Sequence, residues 1–189
     1  MKIGIFELPN FLSAEACDAI IAYCKNKVYP MNKLNGFRDA YGMWFNQGSH
    51  PEINRIINTL EDYISLETEL EVVNQERLHV IKYEQGGEYQ PHWDYFKEGD
   101  NRLNQSGNRI YTFIFYLNDN FKGGGTKFTL LDKVIEPKKG KLIFWNNLNE
   151  NGSRNIVSKH AGLPVDDGEK WIMTCWVRER PYKPFLSGK

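Results

Sequence analysis

Several common signals are missing from this sequence, and each absence removes a class of protein. Net charge is the first: 24 Lys and Arg balance 24 Asp and Glu in 189 residues. A protein built to hold a polyanion carries a basic stripe or a strongly basic domain, so nucleic acid is not an expected partner. Cysteine is the second. Three residues form an odd and sparse set, which argues for a reducing compartment and against a disulfide scaffold. No two of them have the C-x₂₋₄-C spacing of a thiolate zinc site. Cys17 and Cys24 fall on one expected helix, about 10 Å apart along its axis, too far to bridge. Long apolar runs are the third absence. No stretch could cross a membrane, and Met1 to Asn10 lacks a basic region followed by an apolar core, so the chain reads as soluble and cytoplasmic. With thiols excluded, the four histidines are the ligands to examine.

What is present divides into two parts of one domain spanning 1–189, a length suited to a single core. Residues 1–76 read as a helical support. Ser13 caps a helix with Ala16, Ile20, Ile21 and Cys24 on one face, following the 3.6-residue period. A second helix opens on Ser49 and Glu52, the spacing of a capping box, with Pro51 in its first turn. Its apolar stripe is Ile53, Ile56, Ile57, Leu60 and Ile64. Tyr29 to Gly48 reads as a loop or a short irregular strand.

Residues 77–180 change character. Short β-branched and aromatic runs separated by Gly, Asn and Asp suggest a sandwich or barrel, with strands expected at Leu78–Tyr83, Ile110–Leu117, Lys127–Leu131, Lys141–Trp145, Ile156–His160 and Lys170–Arg178. The polar stretch from Lys97 to Asn108 is long enough to be either a solvated connection or a substrate flap. Gly123-Gly124-Gly125-Thr126-Lys127 lacks the order of a phosphate loop and precedes a strand, so a tight turn with positive φ is expected there.

The chemistry concentrates at three places. His92 and Asp94 stand two apart, so on a strand both face one side. His160 follows far along the chain, before a turn-rich segment. Two imidazoles and a carboxylate leave open positions on a shared metal, the arrangement of non-haem Fe(II) oxygenases, although zinc accepts the same donors. Lys170 begins the last strand. Period two groups it with Ile172, Thr174 and Trp176, opposite Trp171, Met173 and Cys175. A buried ammonium on that row requires an anion, either an internal acid or a small dicarboxylate. His50 and His79 read as structural or exposed.

Five separated segments carry a resemblance. They are Tyr83-Glu-Gln-Gly86-Gly87-Glu-Tyr89-Gln-Pro91-His92-Trp-Asp94-Tyr95-Phe96, Arg109-Ile-Tyr-Thr-Phe-Ile-Phe-Tyr116-Leu117-Asn118-Asp119, Gly123-Gly124-Gly125-Thr126-Lys127-Phe128, Pro137-Lys-Lys-Gly140-Lys-Leu-Ile-Phe144-Trp145-Asn146-Asn147-Leu148, and His160-Ala-Gly-Leu-Pro164-Val165 with Gly168-Glu-Lys170-Trp171. In order and spacing they resemble the prolyl 4-hydroxylase family of Fe(II)/2-oxoglutarate dioxygenases over about Arg77 to Arg180.

The resemblance implies a mainly β fold, a double-stranded β-helix or jelly roll of cupin type with supporting N-terminal helices. It places the metal ligands on His92, Asp94 and His160. The 2-oxoglutarate anchor falls on Lys170, with Tyr83 and Thr126 as hydroxyl partners, and the residues facing a peptide fall on Tyr89, Arg109 and Trp176. Ile114, Phe144 and Trp176 are expected as apolar walls. The implied cofactors are Fe(II), 2-oxoglutarate and O₂, with ascorbate as reductant. The implied reaction hydroxylates proline at C4 in a peptide or protein, releasing succinate and CO₂. Another residue, a free amino acid, or a cupin-like metal-binding module without turnover are the alternatives. A nucleic-acid demethylase fits poorly, since that group uses Arg at the anchor. So short a chain suggests a bacterial or viral type of enzyme.

Overall fold

The computed structural model describes residues 4–31, 37–45 and 50–182. Its strands, in chain order, are β1 (Ile5–Leu8), β2 (Tyr29–Pro30), β3 (Tyr41–Trp44), β4 (His79–Tyr83), β5 (Tyr89–His92), β6 (Arg109–Tyr116), β7 (Lys122–Gly123), β8 (Thr126–Phe128), β9 (Lys133–Ile135), β10 (Leu142–Asn146), β11 (His160–Gly162), β12 (Val165–Asp167) and β13 (Lys170–Arg178). The helices are α1 (Ala14–Cys24), α2 (Pro51–Thr68) and α3 (Leu103–Ser106). All pairings are antiparallel. A large sheet runs β1-β10-β6-β13-β4-β3-β2, a smaller one β5-β11-β8-β9, and β12 pairs with β7. The two main sheets enclose a jelly-roll interior.

Period two on the large sheet decides which residues meet what. From β13, Trp171, Met173, Cys175 and Val177 join a core with Phe113 and Phe115 of β6, Leu142 and Phe144 of β10, and Ile20, Ile53, Ile57, Leu60 and Ile64 of the helices. The helices therefore cover one face of the sheet with their apolar stripes, a burial worth about 25 cal/mol per Å² of apolar surface. The alternate positions, among them Ile81, Tyr83, Ile114, Tyr116, Ile143, Trp145 and Ile172, face the second sheet. Phe144 belongs to the first face, stacked on Phe6 and Phe113 at 4.8 and 4.9 Å. It is not an interior wall, contrary to the expectation from the sequence.

The helical support also supplies strands. β1 pairs along β10, Ile5 opposite Trp145, and β3 pairs along β4, so 1–76 completes both edges of the large sheet. Ser13 accepts a hydrogen bond from the Ala16 amide and caps α1 as expected. At α2 the cap position is His50, which makes no side-chain cap bond; Ser49 of the expected capping box lies outside the described residues.

Two expected strands are shorter or displaced. Ile156–Ser158 forms a 3₁₀ turn, and only His160 enters β11. Ile156 and Val157 are β-branched but exposed at 62% and 40%, and Ser158 bonds the Asn155 carbonyl at 2.7 Å, so local polar closure prevails where no strand lies alongside. The run Lys127–Leu131 stops as a strand at Phe128, because the chain turns through Asp132 at φ 48° into β9.

Candidate active site

The metal-type cluster is built on the small sheet. His160 of β11 lies directly opposite His92 of β5 in the pairing register, which sets the two rings 4.3 Å apart. Asp94 stands just beyond the end of β5, so its approach comes from the chain's bend after His92 and not from strand parity. Its Oδ1 lies 3.6 Å from His92 Nε2 and its Oδ2 lies 3.6 Å from His160 Nε2. Donor atoms of all three residues fall within 4.8 Å of one another, and all three residues are buried.

The tautomers follow from the remaining ring nitrogens. His92 Nδ1 is 2.7 Å from the Gln90 carbonyl and His160 Nδ1 is 2.9 Å from the Ser158 carbonyl. A carbonyl only accepts, so each Nδ1 carries a proton and Nε2 is the ring nitrogen left facing Asp94. Burial, joined by the proximity of His92, lowers the His160 pKa to about 4, which keeps it neutral and able to ligate. For Asp94, burial acts to raise the pKa, but the imidazoles of His160 and His92 and the Arg109 guanidinium outweigh it and hold the carboxyl well below its usual range. Ligands about 2.1 Å from a shared ion sit roughly 3–4 Å from each other, so the donor set fits a first-row divalent metal.

The opposite wall comes from the large sheet. Lys170 faces Tyr83 across β13 and β4 and is 2% exposed. Its Nζ donates to the Gly124 carbonyl at 2.5 Å and lies 5.3 and 5.8 Å from the Tyr83 and Tyr116 rings. Among the described residues no carboxylate pairs with it. Burial alone lowers its pKa to about 7. The Tyr116 and Thr126 hydroxyls are 2.7 Å apart beside it. The glycine run is the expected tight turn, with φ of 72° at Gly123 and 67° at Gly124. A Cβ on Gly124 would come within 3.1 Å of Lys170 Cδ, so the lysine lies against a backbone that tolerates no side chain.

Both walls line one cavity, which includes Tyr83, Tyr89, Thr126 and Trp176 together with the His92–Asp94–His160 cluster and Lys170. Tyr89 stacks on His92 at 3.7 Å. The Trp176 indole N–H is buried and has no hydrogen-bond partner among the described residues. Arg109 stands apart, lining an adjoining aromatic groove with Phe37, Trp93, Tyr95 and Phe96. Its guanidinium grips Glu76 with bonds of 2.8 and 2.7 Å and covers the Trp176 ring at 3.8 Å. Glu76 also accepts from Arg178, which ties the 97–108 segment down by donating to the Arg102 and Gly107 carbonyls. That segment holds α3 and forms part of the groove wall.

Several residues of the site escaped sequence reasoning. Arg38 lines the cavity from the loop before β3, and its cation over the Tyr89 ring at 4.5 Å has no local sequence signal. Thr112 does have one: it shares parity with Ile114 and Tyr116 on the inward row of β6. His79, expected to be structural, is buried against Trp44 in a stack at 4.1 Å. His50 is exposed.

An antiparallel jelly roll holding two imidazoles and one carboxylate in its interior defines a mononuclear metal site of facial-triad type. The family model for the 2OG-Fe(II) oxygenase superfamily matches residues 78–178, more than half of the chain, and the protein belongs to that superfamily. It is 34% identical over 147 residues to prolyl 4-hydroxylase subunit alpha-1 of Homo sapiens, a match covering 76% of this chain and 27% of that protein. The same-named subunit of Caenorhabditis elegans is 37% identical over 128 residues, 66% of this chain and 23% of that one. The chain thus spans about a quarter of the curated relatives' length. Among solved structures, a viral collagen prolyl hydroxylase from Paramecium Bursaria Chlorella virus-1, titled as a complex with 2OG, superposes with a TM-score of 0.74 at 28% identity, covering 92% of this chain and 95% of that one. A Pseudomonas putida prolyl-4-hydroxylase shares the fold, with a TM-score of 0.72 at 22% identity over 94% of each chain.

Proposed function

We propose that this protein is a 2-oxoglutarate-dependent dioxygenase that hydroxylates proline at C4 in a peptide or protein. The observation that carries the reading is Lys170: a buried ammonium bonded to one carbonyl, lining the same cavity as a cluster of three metal donors. A dicarboxylate with one end on the metal and the other on Lys170 satisfies both, since a charge-assisted pair replaces the uncompensated cation. The names of the matched relatives supply the proline assignment.

In this reading His92, Asp94 and His160 hold Fe(II). Bound there with 2-oxoglutarate and O₂, the iron supplies the oxidising chemistry that hydroxylates the substrate and releases succinate and CO₂. The protein's part is to bind and orient. Lys170 takes the distal carboxylate, with Tyr83 and Thr126 offering hydroxyls beside it. Tyr89, Arg109 and Trp176 face the peptide, Arg109 from its fixed position on Glu76. Ile81, Ile114 and Ile172 give the cavity apolar walls that limit water. Ascorbate serves as the reductant that keeps the iron competent. The unit of function is one domain over 1–189, with 1–76 as support and 77–180 as the catalytic jelly roll. Three free buried cysteines fit a reducing cytoplasmic setting, and no helix among the described residues is long and apolar enough to cross a membrane.

The test is a panel of proline-containing peptides incubated with the protein, Fe(II), ascorbate and 2-oxoglutarate, read by mass spectrometry. One added oxygen on proline together with stoichiometric succinate is expected. Succinate without peptide oxidation across the panel would reject proline as the target, and no succinate at all would reject the dioxygenase.

A further inference from the structure

Behind Asp94 lies a chain of buried polar side chains that contributes no donor to the metal cluster. Thr112 Oγ1 is 2.7 Å from Asp94 Oδ2, Asn147 Nδ2 is 2.8 Å from Thr112 Oγ1, and Trp145 Nε1 is 3.0 Å from Asn147 Oδ1. All three of these residues are no more than 1% exposed. The pairing register explains how they meet, since Trp145 of β10 stands directly opposite Thr112 of β6 and Asn147 follows two residues later.

The direction of this chain is forced by chemistry. An indole N–H can only donate, so it takes the amide oxygen of Asn147 and turns the amide nitrogen toward Thr112. That nitrogen can only donate, so the Thr112 hydroxyl accepts from it and its own proton is directed to Asp94. An ionised carboxylate can only accept, which closes the series. Every link is therefore oriented one way, and the last link engages one particular oxygen, Oδ2. Oδ1 faces His92 Nε2 and Oδ2 also faces His160 Nε2, each at 3.6 Å.

We propose that Trp145, Asn147 and Thr112 form a one-way relay that fixes the rotation of the Asp94 carboxylate and so presents it to the metal in one orientation. The inference rests on the reading above that the cluster holds a divalent metal. Carboxylates bind such ions through one oxygen or two. A hydroxyl fixed on Oδ2 in a water-poor interior restrains how the carboxylate turns between these modes, and partners behind metal ligands commonly change affinity or activity by about 10–100-fold. Thr112, Asn147 and Trp145 are positioning residues that act through Asp94.

The experiment compares the full chain with Thr112→Val and Thr112→Ser, each loaded with Co(II). The ligand-field absorption of Co(II) reports the coordination, and a 2-oxoglutarate titration reports the affinity of the loaded site. Thr112→Val is expected to change the Co(II) spectrum and to weaken 2-oxoglutarate binding about tenfold, and Thr112→Ser, which keeps the hydroxyl, to restore both. Thermal melting separates these effects from a loss of fold, and Asn147→Leu is read the same way if the valine variant does not fold. A valine variant matching wild type in spectrum and affinity, or a serine variant that restores neither, overturns the relay. Wild-type protein that takes up no Co(II) overturns the metal reading itself, and the relay's role with it.

Discussion

At the β5–β11 end of the cavity the protein has oriented its own ligands: both imidazoles commit Nδ1 to a carbonyl, and Asp94 is held by Thr112. At the β13–β4 end the ammonium of Lys170 is buried still more deeply, with one carbonyl for company. The first end is rigid and neutral enough to accept a cation. The second remains short of negative charge. The contrast divides the work of the site, with geometry fixed in advance where the metal belongs and binding energy reserved for a ligand that brings its own charge. It also predicts that the two ends fail differently.

The largest effect belongs to the first end. His160→Ala should abolish Co(II) uptake and lower succinate formation by at least about 10³-fold while the melting transition persists, since catalysis through a metal depends wholly on its ligands. Retained metal binding, measured by equilibrium dialysis, would break the distinction. Lys170→Met should act on the second end alone, weakening 2-oxoglutarate about 100-fold at unchanged Co(II) affinity. The same variant should melt above wild type without 2-oxoglutarate, because a buried ammonium lacking a carboxylate gives way to an apolar chain of similar shape; calorimetry with and without the dicarboxylate reads both signs.

A smaller effect follows from the Lys170 pKa, lowered by burial from 10.5 to about 7. The folded protein without ligand binds fewer protons than the unfolded chain between these values, so its stability rises with pH across that window. A bound dicarboxylate restores the charge, so binding takes up a proton. The dissociation constant for 2-oxoglutarate should then grow with pH above about 7, approaching tenfold per unit, and should be flat in Lys170→Met. Equal slopes in isothermal titration would remove the lysine from the linkage. The smallest functional effect is expected across the sheet. Ile64→Ala, on the helix-covered face, should cost about 2–5 kcal/mol of stability and leave 2-oxoglutarate affinity within about twofold.

The residue row of β13 is legible in the sequence, because period two alone separates Lys170, Ile172, Thr174 and Trp176 from Trp171, Met173 and Cys175, and that is the split between cavity and helix core. The helix stripes of α1 and α2 were legible for the same reason. β1 was not, and Tyr29 to Gly48 leaves loop and strand open, since these outer strands are defined by the partners they find far along the chain. Phe144 is expected on the cavity side and lies in the helix-side core, because an aromatic residue suits either face and only the register of β10 chooses. Arg109 carries a peptide-facing expectation, and its bidentate hold on Glu76 depends on two side chains that no local pattern links.

By itself the sequence determined the inventory: which donors exist, that thiols are not among them, and that a histidine, an aspartate, a second histidine and a lysine occur in a recognisable order. Alternation and helical period are local properties of the backbone, so they survive without knowledge of the fold. The tertiary structure decided the rest. It set His160 opposite His92, aligned Trp145 with Thr112 so that a hydrogen bond could reach Asp94, and buried Lys170 beyond the reach of any described carboxylate. Those are consequences of strand register and packing between residues distant in the chain, where the energy of each contact depends on partners that sequence neighbours do not specify.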